Sequence, residues 1–256
     1  MRSARRLSRR KERAARSEFL ADGPQAVREA LSSAAQPRLL LVTGRGAGRH
    51  PEIVDLALRS RVPVGLVTDQ ELATVSDATT PQGIVAVCPA LDVDLATALA
   101  GAPRLIVCCA EIRDPGNAGT VIRCADAAGA DAVILGSASV DLYNPKTVRA
   151  STGSLFHLPI VTDADLPVAL DRCRDRGLQV LAAAGGGAYA LDELVRNGDL
   201  AQPTVWLLGN EARGLDQDLL VAADRVVSVP IYGAAESLNL STAAAVCLYA
   251  SAFAQR

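Results

Sequence analysis

RLIVCCAEIRDPGNAGTVIRCADAAGADAVIL, residues 104–135, reads as an apolar strand, a polar loop, a helix and a second apolar strand. The runs RLIVCC (104–109) and AVIL (132–135) show no polar alternation, which marks strands covered on both faces. Further strand-like runs follow at LPIV (158–161), QVLAA (179–183), TVWLL (204–208) and RVVSV (225–229), with helical stretches between most of them. This alternation predicts an α/β domain with a mainly parallel sheet. Polar and glycine residues that directly follow such strands stand where an open α/β sheet places its ligand.

Upstream, RLLLVT (38–43), VPVGLV (62–67) and GIVAVC (83–88) read as three more strands. Residues 17–35 read as a helix with Ala26, Val27, Ala30 and Leu31 on one face, and PEIVDLALRS (51–60) as another helix. The polar stretch 73–83 ends in a turn. The chain therefore divides into a basic arm (1–16), a small α/β domain (17–90), an alanine-rich linker (91–103) and a larger α/β domain (104–256).

Net charge over the 256 residues is only −2, but it is unevenly spread. Residues 1–16 carry eight Arg and Lys against Glu12, a net +7, which leaves −9 on the remainder. A basic arm on an acidic body is a mark of nucleic-acid contact, and Arg5, Arg6, Arg9 and Arg10 are the candidate RNA-binding residues. The same run also reads as a solvated helix end. No apolar segment follows the charges as in a secretory signal, and no apolar run reaches the roughly 20 residues of a membrane span. The six cysteines form no C-x-x-C pair and lie largely in apolar settings, as expected of free thiols in the reducing cytoplasm. With His50 and His157 the only histidines, no metal site is expected.

Three blocks carry the chemistry: DPGNAGTVIR (114–123), LLGNEARGL (207–215) and VPIYGAAESLNLS (229–241). The first runs from a glycine-containing loop into a helix opening near Ala118, but it lacks G-x-G-x-x-G and the P-loop pattern. Arg123 sits among Val121, Ile122, Cys124 and Ala125, where a guanidinium is costly unless paired or facing a cleft. A structural ion pair would also explain it. Gly209 and Gly214 allow close backbone approach, and Glu211 follows a buried strand, where a helix N-terminus could also account for it. Ser237 or Asn239 could simply cap the final helix, 239–254, which is apolar or small nearly all round and must be covered.

Taken together and in this order, the blocks resemble the SpoU (TrmH-like) RNA ribose 2′-O-methyltransferases of the SPOUT class. That family reads N-x-G-x-x-x-R, then G-x-E-x-x-G, then S-L-N before a C-terminal helix; this chain reads NAGTVIR, GNEARG and SLN. RSEFLADGPQAVREAL and TPQGIVAV resemble the family's L30e-like substrate-binding domain, so the likeness covers nearly the whole chain. The resemblance implies a trefoil-knotted catalytic domain, a homodimer through the region of the last helix, and S-adenosylmethionine as methyl donor. It implies a donor pocket of Ala183, Ala184, Gly209, Asn210, Gly214, Val229, Ile231 and Leu238. It places catalysis on Arg123, Asn117, Glu211, Ser237 and Asn239.

A sulfonium methyl is already reactive, so the protein must orient it against the ribose hydroxyl and ease loss of the hydroxyl proton. Guanidinium is too weak an acid to serve as base, so Arg123 suits alkoxide stabilisation and a grip on the adjacent phosphate. The expected substrate is ribosomal RNA, by analogy with family members carrying the extra domain. A tRNA substrate, an inactive RNA-binding or ribosome-assembly protein, and a small-molecule enzyme on an open sheet are the competing readings.

Overall fold

The computed structural model describes residues Met1–Arg256, the side chain of Arg2 excepted. Two compact units emerge: Met1–Leu91 with Asp141–His157, and Asp92–Val140 with Leu158–Arg256.

The first unit holds a four-stranded sheet of β1 (Glu18–Asp22), β2 (Leu39–Thr43), β3 (Val64–Val67) and β4 (Ile84–Pro89), ordered β1-β4-β2-β3. Pairing is antiparallel at β1–β4 and β2–β4 and parallel at β2–β3. The helix expected over 17–35 is two elements. Residues 18–22 form β1, because Phe19, Leu20 and Ala21 pair with β4 and are buried. Gly23, at φ +98°, then turns the chain, and Pro24 opens a helix, Pro24–Ser32, at the position where its missing N–H costs nothing. That helix buries Ala26, Val27, Ala30 and Leu31, the face read from the sequence.

The basic arm is folded. Helices Arg2–Arg6 and Arg10–Arg16 bring Ala4 and Leu7 into a core with Leu20, Leu41, Leu72, Val75, Val85 and Val87. Arg13 is buried, donates to the Leu7 and Ser8 carbonyls and pairs with Asp141. Phe19 stacks on Tyr143 at 4.5 Å and on Phe156 at 5.9 Å. These contacts anchor Asp141–His157 in the first unit, although the sequence reading assigns it to 104–256.

The second unit is built on seven strands: β5 (Leu105–Cys109), β6 (Ala132–Gly136), β7 (Ile160–Ala164), β8 (Gln179–Ala183), β9 (Tyr189–Ala190), β10 (Thr204–Leu208) and β11 (Arg225–Ser228). Their order is β7-β6-β5-β10-β8-β11-β9, and every pairing is parallel. Residues of β5, β6 and β10 are buried throughout, as continuous apolar runs require. The C-terminal helix, Leu240–Gln255, packs on helix Pro115–Ala128 and on β10, and the Trp206 indole donates to Ser251 Oγ at 2.9 Å. Only one face of this helix is covered within the chain; Val246, Tyr249 and Phe253 stand exposed. Among the described residues no helix is long and apolar enough to cross a membrane.

Candidate active site

From β5 the chain moves outward to β6 and β7, and later returns to place β10 on the other side of β5. Such a reversal opens a crevice at the carboxyl ends of the two central strands. The loop after β5 and the loop after β10 meet there.

Asp114 caps helix Pro115–Ala128, its carboxylate accepting the Asn117 N–H at 2.8 Å. The helix thus opens at Pro115 rather than near Ala118, and Asn117 falls in its first turn, turned to the crevice. Asn117 Nδ2 donates to Glu211 Oε1 at 3.2 Å, and Asn239 Nδ2 donates to Asn117 Oδ1 at 3.2 Å. One residue from each sequence block therefore joins a single chain, Glu211–Asn117–Asn239. Asn239 Oδ1 also caps the last helix, accepting from the Ser241 N–H at 2.9 Å. An amide can donate to a carboxylate and accept from a second amide at once.

Glu211 also accepts the Arg113 and Asp114 N–H groups at 3.4 and 3.2 Å, so it fastens the β5 loop. Glu111 works in the opposite sense. Its carboxylate pairs with Arg113 and with Arg213 of the β10 loop, and its carbonyl accepts from Asn210 Nδ2 at 3.0 Å. The Arg113 hydrogen bond, then Arg213, holds the Glu111 carboxyl below the usual carboxylate range. Asn210 Oδ1 accepts from the Ala212 and Arg213 N–H groups, and Asn210 and Gly214 pair as an antiparallel bridge. This tight turn explains Gly209: a Cβ there would lie 2.3 Å from the Gly214 carbonyl carbon.

The carboxyl ends of β10, β8 and β11 stand side by side, Leu208 opposite Ala183 and Ala183 opposite Val227. Gly209, Ala184 and Val229 therefore leave the sheet close to one level. Ala184 donates its N–H to the Val227 carbonyl at 3.0 Å, while Gly185 and Gly186 border open space. Ile231 is exposed and Leu238 half-buried in the loop that leads to the last helix.

Arg123 is exposed on its helix, while Val121 and Ile122 beside it are buried in the core. Ser237 is exposed in the 229–239 loop, and the described hydrogen bonds do not carry the Glu211–Asn117–Asn239 chain to it. Arg5, Arg6, Arg9 and Arg10 are exposed in the first unit, with Arg6 paired to Glu12 at 2.8 Å. Glu111, Arg113 and Arg213 escaped the sequence reading because nothing local shows that the two loops meet. The run Gly185–Gly187 was legible: three glycines one residue after a buried strand. Burial, with the Glu211 charge second, pushes the Cys109 thiol up to about 12, so the cysteine beside the crevice stays neutral. Among the described residues no three His, Cys, Asp or Glu side chains gather as a metal site.

A parallel sheet with a polar hydrogen-bonded chain at its switch point, beside glycine-shaped strand ends, defines an α/β ligand-binding domain with the parts for group transfer. Residues 104–249 match the SpoU rRNA Methylase family and residues 1–86 the MRM3-like substrate binding domain. The chain belongs to the SpoU rRNA methylase family. It is 36% identical to the 23S rRNA (guanosine(2553)-2′-O)-methyltransferase RlmP of Bacillus subtilis, over 95% of this chain and 92% of that one. Identity to the 23S rRNA (guanosine-2′-O-)-methyltransferase RlmB of Pseudomonas putida is 31%, over 83% and 86%. The SpoU methyltransferase AviRb of Streptomyces viridochromogenes, solved in complex with AdoMet, superposes with a TM-score of 0.87 at 30% identity, covering 98% of this chain and 96% of that one.

Proposed function

We propose that this protein transfers a methyl group from S-adenosylmethionine to a ribose 2′-hydroxyl of 23S ribosomal RNA. The observation that carries this reading is the Glu211–Asn117–Asn239 chain, which unites the three blocks at the switch point. The named relatives favour ribosomal RNA over tRNA and over an inactive binding protein.

The residues present fit the donor. Ala183, Ala184, Gly209 and Gly214 offer backbone groups without bulky side chains, Asn210 shapes the turn, and Val229, Ile231 and Leu238 offer apolar surface to a purine and a thioether. When bound, S-adenosylmethionine supplies an electrophilic methyl group on a sulfonium. The chain's own residues orient the acceptor. Arg123 stabilises negative charge on the ribose oxygen and grips the neighbouring phosphate. Asn117, held from both sides, fixes the first turn of the helix that carries Arg123. Glu211 acts as a positioning group, since its oxygens already accept from Asn117, Arg113 and Asp114. Ser237 contributes from the loop ahead of Asn239, as a hydroxyl toward the ribose.

Arg5, Arg6, Arg9 and Arg10 contact RNA phosphates in this reading; their exposure supports it. The reading includes a homodimer, supported by the uncovered Val246, Tyr249 and Phe253, a trefoil knot in the second unit and a cytoplasmic setting. Light scattering of the purified chain tests the dimer.

The decisive experiment follows labelled methyl transfer from S-adenosylmethionine to 23S rRNA from a strain lacking the protein, with ribose-methylation mapping. Label at one 2′-hydroxyl is expected. Arg123→Ala should nearly abolish turnover while calorimetry shows donor binding kept; near wild-type turnover in this variant would remove Arg123 from the mechanism.

A further inference from the structure

The first unit contains a cavity of about 220 Å³ that no step above uses. It is bordered by Asp22 at the end of β1, Pro24 at the start of the following helix, Ala78 and Gln82 of the loop before β4, and Arg149 and Thr152 of the Asp141–His157 segment. Three features set it apart from a packing defect. Arg149 Nη1 is buried and has no hydrogen-bond partner among the described residues, while Nη2 pairs with Asp77 at 3.2 Å. A buried guanidinium nitrogen without an acceptor is costly; Nη1 is sealed from the cavity, and the side chain, still 31% exposed, presents its remaining N–H groups. Asp22 is half-buried and accepts from Ser76 Oγ at 2.5 Å; burial raises its carboxyl above the usual range despite Ser76 and the nearby Arg149 charge. Thr152 holds φ +53°, a left-handed conformation that a β-branched side chain adopts only under constraint.

The chemistry narrows the ligand. A phosphate would meet the Asp22 and Asp77 carboxylates, and a metal ion would meet the Arg149 guanidinium. An apolar ligand would leave the remaining hydrogen-bonding capacity of Arg149 and Asp22 unused. What satisfies a donor and an acceptor set side by side, with aliphatic walls from Pro24 and Ala78, is a flat neutral group carrying an acceptor and an amino group on one edge. Unstacked RNA bases present such edges, and RNA is read chiefly through them.

We infer that this cavity takes one unpaired, amino-bearing nucleobase of the RNA substrate, Arg149 donating to a ring or carbonyl acceptor and Asp22 accepting from the amino group. The inference rests on the methyltransferase reading for its substrate class. It gives the first unit a base-reading role in addition to phosphate contact.

The test uses the full chain, ¹⁵N-labelled, titrated with the four ribonucleoside 5′-monophosphates and with ribose 5-phosphate. Saturable amide shifts confined to residues 22–26, 78–82 and 149–152 are expected with the adenosine, cytidine and guanosine nucleotides, weaker shifts with the uridine nucleotide, and none with ribose 5-phosphate. Equal shifts with ribose 5-phosphate, equal shifts with the uridine nucleotide, or no saturable shift at these residues would each overturn the inference. In methyl transfer to 23S rRNA, Arg149→Gln and Asp22→Asn should each raise KM about tenfold with kcat preserved, the size of one base-edge interaction. Unchanged KM in both variants also overturns it. A wild-type chain that passes the titration yet moves no methyl to 23S rRNA counts against the methyltransferase reading alone.

Discussion

Replacing Asn117 by Asp changes one atom pair and keeps the side-chain shape. The Oδ1 acceptor for Asn239 survives. The Nδ2 donor, 3.2 Å from Glu211 Oε1, becomes a carboxylate oxygen facing a carboxylate. Two unit charges at that distance repel by about 1.3 kcal/mol even with the full screening of water, the appropriate limit for the exposed Glu211. The missing hydrogen bond to a charged acceptor adds about 1.5 kcal/mol. Together these amount to about 3 kcal/mol against the assembled crevice, or roughly a hundredfold in kcat/KM for methyl transfer to 23S rRNA. Glu211→Gln in the same chain restores a donor–acceptor pair in reversed polarity and should recover most of the activity. The introduced carboxyl, set against a like charge, titrates above the ordinary Asp range. Its protonated form can donate to Glu211, so activity of the Asn117→Asp variant relative to wild type should rise as pH falls. Single-variant kinetics within about twofold of wild type, or a double variant no better than the single, would refute the role given to this chain.

Other expectations concern different parts of the molecule. Gly209→Ala drives a methyl group to 2.3 Å from the Gly214 backbone; it should cost about 1–3 kcal/mol in a thermal melt and weaken donor binding by calorimetry. Arg5, Arg6, Arg9 and Arg10 changed together to Gln should lower the salt slope of rRNA binding by about 0.7 for each phosphate no longer neutralised, with folding unaffected because all four are exposed. Deleting residues 1–16 is a different perturbation: it removes Ala4, Leu7 and the Arg13–Asp141 pair and should lower the melting temperature. Asp22 has its carboxyl raised by burial, so ionisation opposes folding; the penalty is absent below the unfolded pKa and complete above the folded one. Asp22→Asn should therefore raise the melting temperature at pH 7 and do little near pH 3; equal gains at both would assign the effect to packing.

The legible and illegible parts of the fold separate along a physical line. The strands at 105–109, 179–183 and 204–208 were legible because a buried parallel strand is an uninterrupted apolar run. The strand at 18–22 was not, since the helical spacing of Ala26 to Leu31 extends back through it in sequence, and only pairing with β4 makes it extended. Gly23–Pro24 was the available signal. Arg123 shows the same limit: its sequence neighbours are apolar, yet of that run it alone is exposed. Asp141–His157 lies between strands of the second unit in sequence and is captured by Arg13 and Phe19 of the first, residues more than a hundred positions away.

By itself the sequence determined the alternation of strands and helices, the glycine turns, the caps and the identity of the polar residues that end up in the crevice, because each depends on the backbone preference or the polarity of a few consecutive residues. Only the tertiary structure decided that β10 lies between β5 and β8, that Glu211 reaches Asn117 and Asn239, and that Glu111 reaches Arg213. Strand order and cross-loop pairing are settled by how the apolar faces of distant segments cover one another, and that competition leaves no local mark.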